Sequence, residues 1–286
     1  MKSVLQTIQD GTAYLEKRDV ESPRLNMEHL LAHVLGCKRM QLYLWFDRPL
    51  TEAELAPLRE LTLRRGRREP LQHLLGTVEF MRREFLCDAR ALIPRPETEE
   101  LCEILTAAAK DAAPPRSVLD MGTGSGVIGL SLALAWPEAA ATLADVSEQA
   151  LALARENSVR LSIPPERLRF VQTDLFSALD AETFELVVAN LPYIAPEEIP
   201  TLSEEVQRDP RLALDGGGAA GTELMERFIS QLPRHLSPGG RVAMEIGHGQ
   251  AARLTDCLTQ HGLKDVRAAA DAAGLERFVF ATAPVA

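Results

Sequence analysis

The chain has 286 residues, 46% of them hydrophobic and 25% charged, with a formal net charge of −10. That length is too great for one ordinary small domain and comfortable for two, and the apolar fraction supports a real core, so a globular protein is expected. The charge is uneven: residues 1–90 carry 15 Lys+Arg against 13 Asp+Glu, and the remainder 16 against 28, a field that repels free nucleic acid and favours a basic partner.

The longest apolar stretches, such as Val127 to Trp136, are cut by Pro137 and Glu138. The N-terminus lacks a basic segment followed by an apolar one and a small-residue cleavage site, so a cytoplasmic protein without membrane contact is expected. Cys37, Cys87, Cys102 and Cys257 are scattered, with no C-x-x-C pair and no histidine at ligand spacing. This argues against a disulfide framework and a structural zinc site, and no metal is expected.

Residues 1–72 read as a small helical bundle. Ser22-Pro23 supplies an N-cap and a first-turn proline, Leu31, Val34 and Leu35 repeat at helical spacing, and Gly36 stands where the helix would end. Thr51 with Glu54 forms a capping-box pattern ahead of Leu55, Leu58 and Leu61. The cluster Arg64-Arg65-Gly66-Arg67-Arg68 reads as a solvated helix end. Residues 73–94 change period and suggest a β-hairpin linker, which leads into Ile93-Pro94-Arg95-Pro96-Glu97-Thr98-Glu99. There Thr98 is expected to start a helix, and the Arg95 and Glu97 charges to edge a cleft.

Residues 95–286 follow an α/β pattern. Ser117 to Met121 is a strand, Gly122-Thr123-Gly124-Ser125-Gly126 a glycine turn, and Ile128 to Leu134 a helix. Further strands end at Asp145, Asp174 and Asn190. The last, Phe184 to Ala189, lacks alternation, as expected of a strand covered on both faces, and Pro192 cannot continue a ladder. Gly122, Asp145, Asp174 and Asn190 therefore fall at carboxyl ends of parallel strands, the rim where open α/β sheets bind ligands. A helix from Glu223, a turn at Pro238-Gly239-Gly240, a strand from Arg241 to Ile246, a helix from Gln250 and two final strands complete the pattern, with Glu245 and His248 expected in packing and turn roles.

The glycine turn fits two patterns, because Gly124-x-Gly126-x-x-Gly129 is also the dinucleotide fingerprint, with Asp145 about 20 residues on. Three features favour S-adenosylmethionine over NAD. Asp120 would repel a pyrophosphate but suits an α-ammonium, Asp145 can take both ribose hydroxyls, and Asp174 with the N–H of Leu175 can hold adenine. Nothing in the chain looks like a hydride-transfer site.

Asp120-Met-Gly-Thr-Gly-Ser-Gly126, Asp145, Asp174-Leu-Phe176 and Asn190-Leu191-Pro192-Tyr193 resemble successive motifs of class I methyltransferases acting on planar-bonded nitrogens. Ile93-Pro-Arg-Pro-Glu-Thr-Glu99, Pro210-Arg-Leu-Ala-Leu-Asp-Gly-Gly217 and Glu245-Ile-Gly247 are similar, over nearly the whole length, to the HemK-type release-factor glutamine methyltransferases. The family pattern is usually Asn-Pro-Pro-Tyr, from which Leu191 departs. Asn-Leu-Pro-Tyr is also what the ribosomal RNA adenine dimethyltransferases look like, so an adenine N6-methyltransferase on RNA or DNA stays as the alternative. The resemblance implies a Rossmann-like, mostly parallel seven-stranded sheet behind an N-terminal helical substrate-recognition domain. It further implies that the Asn190 side-chain oxygen and the Leu191 carbonyl accept the two N–H bonds of a glutamine, while Tyr193 walls the flat amide. The acceptor so implied is the Gly-Gly-Gln loop of peptide chain release factors, with no direct nucleic-acid partner.

Overall fold

The computed structural model describes residues 2–109, 113–180 and 182–285. The chain divides into two units, Met1–Thr77 with Ser203–Arg208 and Val78–Leu202 with Asp209–Ala286.

The first unit is helical: α1 (Val4–Glu16), α2 (Pro23–Leu35), α3 (Glu52–Arg65) and the short α4 (Leu71–Leu75) surround Ile8, Leu15, Met27, Leu30, Leu31, Leu42 and Leu58. Each helix has a local reason to begin or stop. Glu54 Oε2 accepts from the Thr51 N–H at 2.8 Å, closing the capping box of α3, and Gly36 ends α2 at φ +60°. Ser22 corrects the sequence reading: it sits at φ +48° and makes no side-chain cap, so Pro23 in the first turn begins α2 without it. The arginine cluster is a second correction. Arg65 is buried rather than solvated, donating to Asn26 Oδ1 at 2.7 Å and pairing with Glu205 at 2.9 Å, while Arg68 pairs with Glu205 at 2.8 Å. A buried guanidinium needs such partners, and this pair ties Ser203–Arg208 into the unit.

A two-stranded hairpin, β1 (Thr77–Phe80) and β2 (Arg83–Leu86), starts at the last residue of the first unit's main segment and leads in the second unit to α5 (Pro96–Ala108). Helix α5 starts at Pro96, not Thr98, since proline suits the first turn. Then come β3 (Ser117–Met121), α6 (Val127–Ala135), β4 (Ala140–Asp145), α7 (Glu148–Arg160), β5 (Leu168–Gln172), β6 (Phe184–Ala189), α8 (Glu223–Gln231), β7 (Leu236–Glu245), α9 (Ala251–Gln260), β8 (Lys264–Ala270) and β9 (Glu276–Thr282). The sheet order is β5-β4-β3-β6-β7-β9-β8, parallel except where β9 joins β7 and β8.

Alternate strand residues feed two cores. Leu119, Met121, Val187, Ala189, Val242 and Met244 pack with α8 and α9, whereas Val118, Leu186, Val188 and Ala243 pack with α5 and α6. Burial on both faces is why these strands are continuously apolar. Pro238-Gly239-Gly240 lies inside β7 rather than before it. Phe184 faces Leu236 and Leu186 faces Arg241, so the extra residues bulge out of the ladder, and Gly239 adopts φ +71°.

Candidate active site

Strand β3 lies between β4 and β6, so the chain order reverses there and the connections leaving β3 and β6 diverge, opening a crevice at their carboxyl ends. Register then places the side chains. Met121 faces Ala144 on one side and Ala189 on the other, so Gly122, Asp145 and Asn190 leave the sheet next to one another. A cavity of roughly 480 Å³ occupies the crevice. Its lining includes Gly122, Thr123, Gly124, Ser125, Asp145, Asp174, Leu175, Asn190, Leu191 and Pro192. Asp120, Gly126 and Tyr193, also expected at the site, are not part of that lining.

The glycine turn is tight because backbone needs the room. Gly122 adopts φ +72°, and a Cβ there would meet Leu191 Cδ2 at 2.8 Å. Asp120 is fully buried beneath the turn. Its Oδ2 accepts from Thr123 Oγ1 at 2.5 Å and from the Gly129 N–H at 2.8 Å, whereas Oδ1 has no hydrogen-bond partner. Burial pushes the Asp120 carboxyl up to about 6, against the pull of those two donors. Asp145 is held by backbone on both oxygens, Oδ2 by the Gly124 N–H and Oδ1 by the Ser147 N–H, each at 2.9 Å. Burial raises its carboxyl as well. Asp174 is exposed and pairs with Arg227 at 2.9 Å, and Leu175 beside it takes φ +50°. Asn157 braces the turn, donating to Ser125 O at 2.9 Å and accepting from the Leu86 N–H at 2.6 Å.

Asn190 donates from Nδ2 to Thr98 Oγ1 at 3.0 Å, and Thr98 donates to Glu245 Oε2 at 2.6 Å. The Tyr193 hydroxyl donates to the other oxygen, Glu245 Oε1, at 3.3 Å. Among the described residues no donor reaches Asn190 Oδ1. Tyr193 packs against the core as well as carrying this hydrogen bond, and burial pushes its hydroxyl above the usual phenol range. Glu245, expected only in packing, is a buried partner of the site. Burial raises its carboxyl while Thr98 and Tyr193 oppose the rise. The sequence held one signal for it, an acid closing the apolar run Val242-Ala243-Met244 one strand beyond Asn190.

Arg95 does not line the cavity. It binds Asp209 Oδ2 at 2.6 Å, and Asp209 Oδ1 accepts from the Ile93 N–H at 3.2 Å, fastening the proline-rich stretch to the segment that carries Pro210 and Asp215. Asp209, pushed up to about 6 by burial, was not foreseen from sequence.

The sheet order and the glycine turn at the reversal define a class I methyltransferase fold. Solved structures agree at the level of fold: a 16S rRNA N2 methyltransferase from T. thermophilus in complex with AdoMet and guanosine aligns with TM-score 0.51 and 17% identity over 72% of this chain and 49% of that one. A methyltransferase from Pyrococcus furiosus aligns with TM-score 0.50 and 16% identity over 68% and 89%. The family described as the PrmC N-terminal domain matches residues 6–76, and the methyltransferase small domain matches residues 98–220. The release factor glutamine methyltransferase of Geobacter sulfurreducens is 39% identical over 93% of this chain and 92% of its own length. That of Chlorobaculum tepidum is 41% identical over 90% and 89%. The chain belongs to the release factor glutamine methyltransferase family.

Proposed function

We propose that the protein transfers a methyl group from S-adenosylmethionine to the side-chain amide nitrogen of the glutamine in the Gly-Gly-Gln motif of peptide chain release factors. The observation that carries this reading is the Asn190 amide at the cavity, next to the glycine turn and Leu191, with its Nδ2 tied back to Thr98 so that Oδ1 is its free end; the main-chain carbonyl of Leu191 would be the second acceptor. Two neighbouring acceptors suit the two N–H bonds of a primary amide.

The residues present fit the donor. Asp120 Oδ1 is a buried acceptor without a partner under the turn, suited to serve an α-ammonium through water. Gly122 and Gly124 keep the floor of the cavity free of side chains. Asp145 retains one free lone-pair direction on each oxygen for ribose hydroxyls, and Asp174 with the Leu175 N–H serves the base. Three carboxylates would repel a pyrophosphate, which disfavours a dinucleotide. When bound, the sulfonium supplies an electrophilic methyl group.

An amide nitrogen is a poor nucleophile because its lone pair is delocalised into the carbonyl. Asn190 Oδ1 and the Leu191 carbonyl would hold both N–H bonds and aim the remaining lone pair, Pro192 would stiffen the chain after them, and Tyr193 would anchor the segment through Glu245. Such positioning can supply on the order of 7–11 kcal/mol when the geometry is right. The helical residues 1–72, joined through 73–94 to the catalytic residues 95–286, would recognise the body of the release factor, since a short loop offers little area. The reading places the reaction in the cytoplasm with no direct nucleic-acid partner.

Incubating a release factor with the protein and isotopically labelled donor, followed by peptide mass spectrometry, tests the reading. Label on the glutamine of Gly-Gly-Gln is expected. Label on adenine of RNA or DNA, with the factor unmodified, would replace this acceptor with the nucleic-acid one.

A further inference from the structure

We propose that Thr98 and Glu245 are positioning residues that fix which end of the Asn190 amide faces the acceptor, and so make the site choose an amide over a carboxylate. The inference rests on the reading of the acceptor as a glutamine side chain.

The three residues come from separate elements. Asn190 follows β6, Glu245 ends the neighbouring parallel strand β7, where Met244 faces Ala189, and Thr98 lies in the first turns of α5. Thr98 and Glu245 are 2% and 1% exposed, so water cannot substitute for either in this chain of hydrogen bonds. An ionised carboxylate only accepts, and a threonine hydroxyl has a single hydrogen. Glu245 Oε2, 2.6 Å from Thr98 Oγ1, takes that hydrogen. The side of Thr98 Oγ1 turned toward Asn190 therefore presents lone pairs alone. Only the Nδ2 end of the Asn190 amide can meet them at 3.0 Å; the flipped amide would set oxygen against oxygen with no hydrogen between.

The orientation has a chemical consequence at the cavity. Oδ1, not Nδ2, is the free end of the amide, and with the Leu191 carbonyl that the proposed function assigns as the second acceptor the site would present two acceptors. A glutamine NH₂ supplies two donors and matches. A glutamate carboxylate supplies only lone pairs and is repelled. Without the hydroxyl of Thr98 the amide can rotate by 180° and meet either group, and the preference collapses. Without the carboxylate of Glu245, the Thr98 hydroxyl is free either to donate to Asn190 or to accept from it, and the orientation is no longer fixed.

The test measures binding of two ligands to the full-length protein by calorimetry, a release factor and the same factor carrying Gly-Gly-Glu in place of Gly-Gly-Gln. The parent is expected to prefer the glutamine form by roughly ten-fold or more, the equivalent of one well-placed hydrogen bond. Thr98→Val should bring that ratio close to one, Thr98→Ser should keep the parental ratio, and Glu245→Met should lower it toward one as well. In an Asn190→Ala background, Thr98→Val should change the ratio no further, because it acts only through Asn190. A folded Thr98→Val protein with the parental ratio overturns the proposal, as does Thr98→Ser losing as much as Thr98→Val. If Thr98→Val does not fold, an unchanged ratio in Glu245→Met overturns it in the same way. Failure of the parent to methylate the glutamine factor would instead remove the acceptor assignment itself, a result read separately from these ratios.

Discussion

Replacing Asp145 separates what the site needs from what the fold needs. Each carboxylate oxygen already accepts one backbone N–H, from Gly124 and from Ser147 at 2.9 Å, and offers its remaining lone pair to a ribose hydroxyl. Asp145→Ala removes both ribose bonds. At about 1.5–3 kcal/mol for each hydrogen bond to a charged group, donor affinity should fall by at least the roughly 10- to 150-fold that one such bond is worth. Stability should respond less. Truncation leaves two N–H groups without partners but also removes a carboxylate that burial already disfavours, as its raised carboxyl shows, and the net loss should stay near ~1–2 kcal/mol. Asp145→Asn should be the less stable of the two despite its closer shape, because its NH₂ must face one of the two backbone donors. Calorimetric titration with S-adenosylmethionine and urea denaturation of the parent and both variants measure these quantities. Parental donor affinity in Asp145→Ala, or greater stability of Asp145→Asn than of Asp145→Ala, would refute the reasoning.

Leu191→Pro should keep most methyl transfer, since its contribution is a main-chain carbonyl, yet lose about 1–2 kcal/mol in denaturation because the leucine side chain is buried in the core; a folded but inactive variant would contradict the backbone role. Gly122→Ala forces a side chain into φ +72° and against Leu191 at 2.8 Å, so a midpoint drop equivalent to about 1–3 kcal/mol and weaker donor binding are expected; parental values of both would show that the turn tolerates a Cβ. Arg95→Ala leaves the buried Asp209 carboxylate without its 2.6 Å partner and should cost about 2–3 kcal/mol at pH 7.5, less than a wholly buried pair because Arg95 is partly exposed. Asp209 already sits near 6, above the ordinary 3.8, so its ionised form opposes folding: that group's stability contribution is full below 3.8 and lost as pH rises through about 6. Removing Arg95 deepens the same loss, and the gap between variant and parent should therefore narrow when denaturation is repeated at pH 5. A gap that is constant or wider at pH 5 would contradict this.

The catalytic sheet was legible in the sequence because its strands are buried on both faces. Val118-Leu119 and Leu186-Val187-Val188 read as such strands, and the polar residues that close β4 and follow β6, Asp145 and Asn190, declared the rim. The supports of that rim were harder to read. Thr98 reaches Asn190 and Glu245 across 92 and 147 positions, Asp209 reaches Ile93 across 116, and no local period links such partners. Tyr193 shows a related limit: its place after Asn190 was readable, but not that its hydroxyl meets a buried acid 52 positions on. Pro238-Gly239-Gly240 read as a turn because composition does not distinguish a turn from a bulge within a strand. The arginines near Gly66 read as solvated because Glu205, the acid that allows Arg65 to be buried, lies 140 residues away.

That distance also has a meaning in time. A ribosome adds about 5–20 residues each second, so Arg65 is made roughly 7 to 28 seconds before Glu205 exists to meet it. During that interval a guanidinium destined for the interior has Asn26 but no counter-ion. The first unit's helices therefore cannot reach their final stability before that later segment is made. They wait for a strand of nascent chain that arrives only after β3 to β6 have been synthesised, and their maturation is timed by the elongation of the catalytic half.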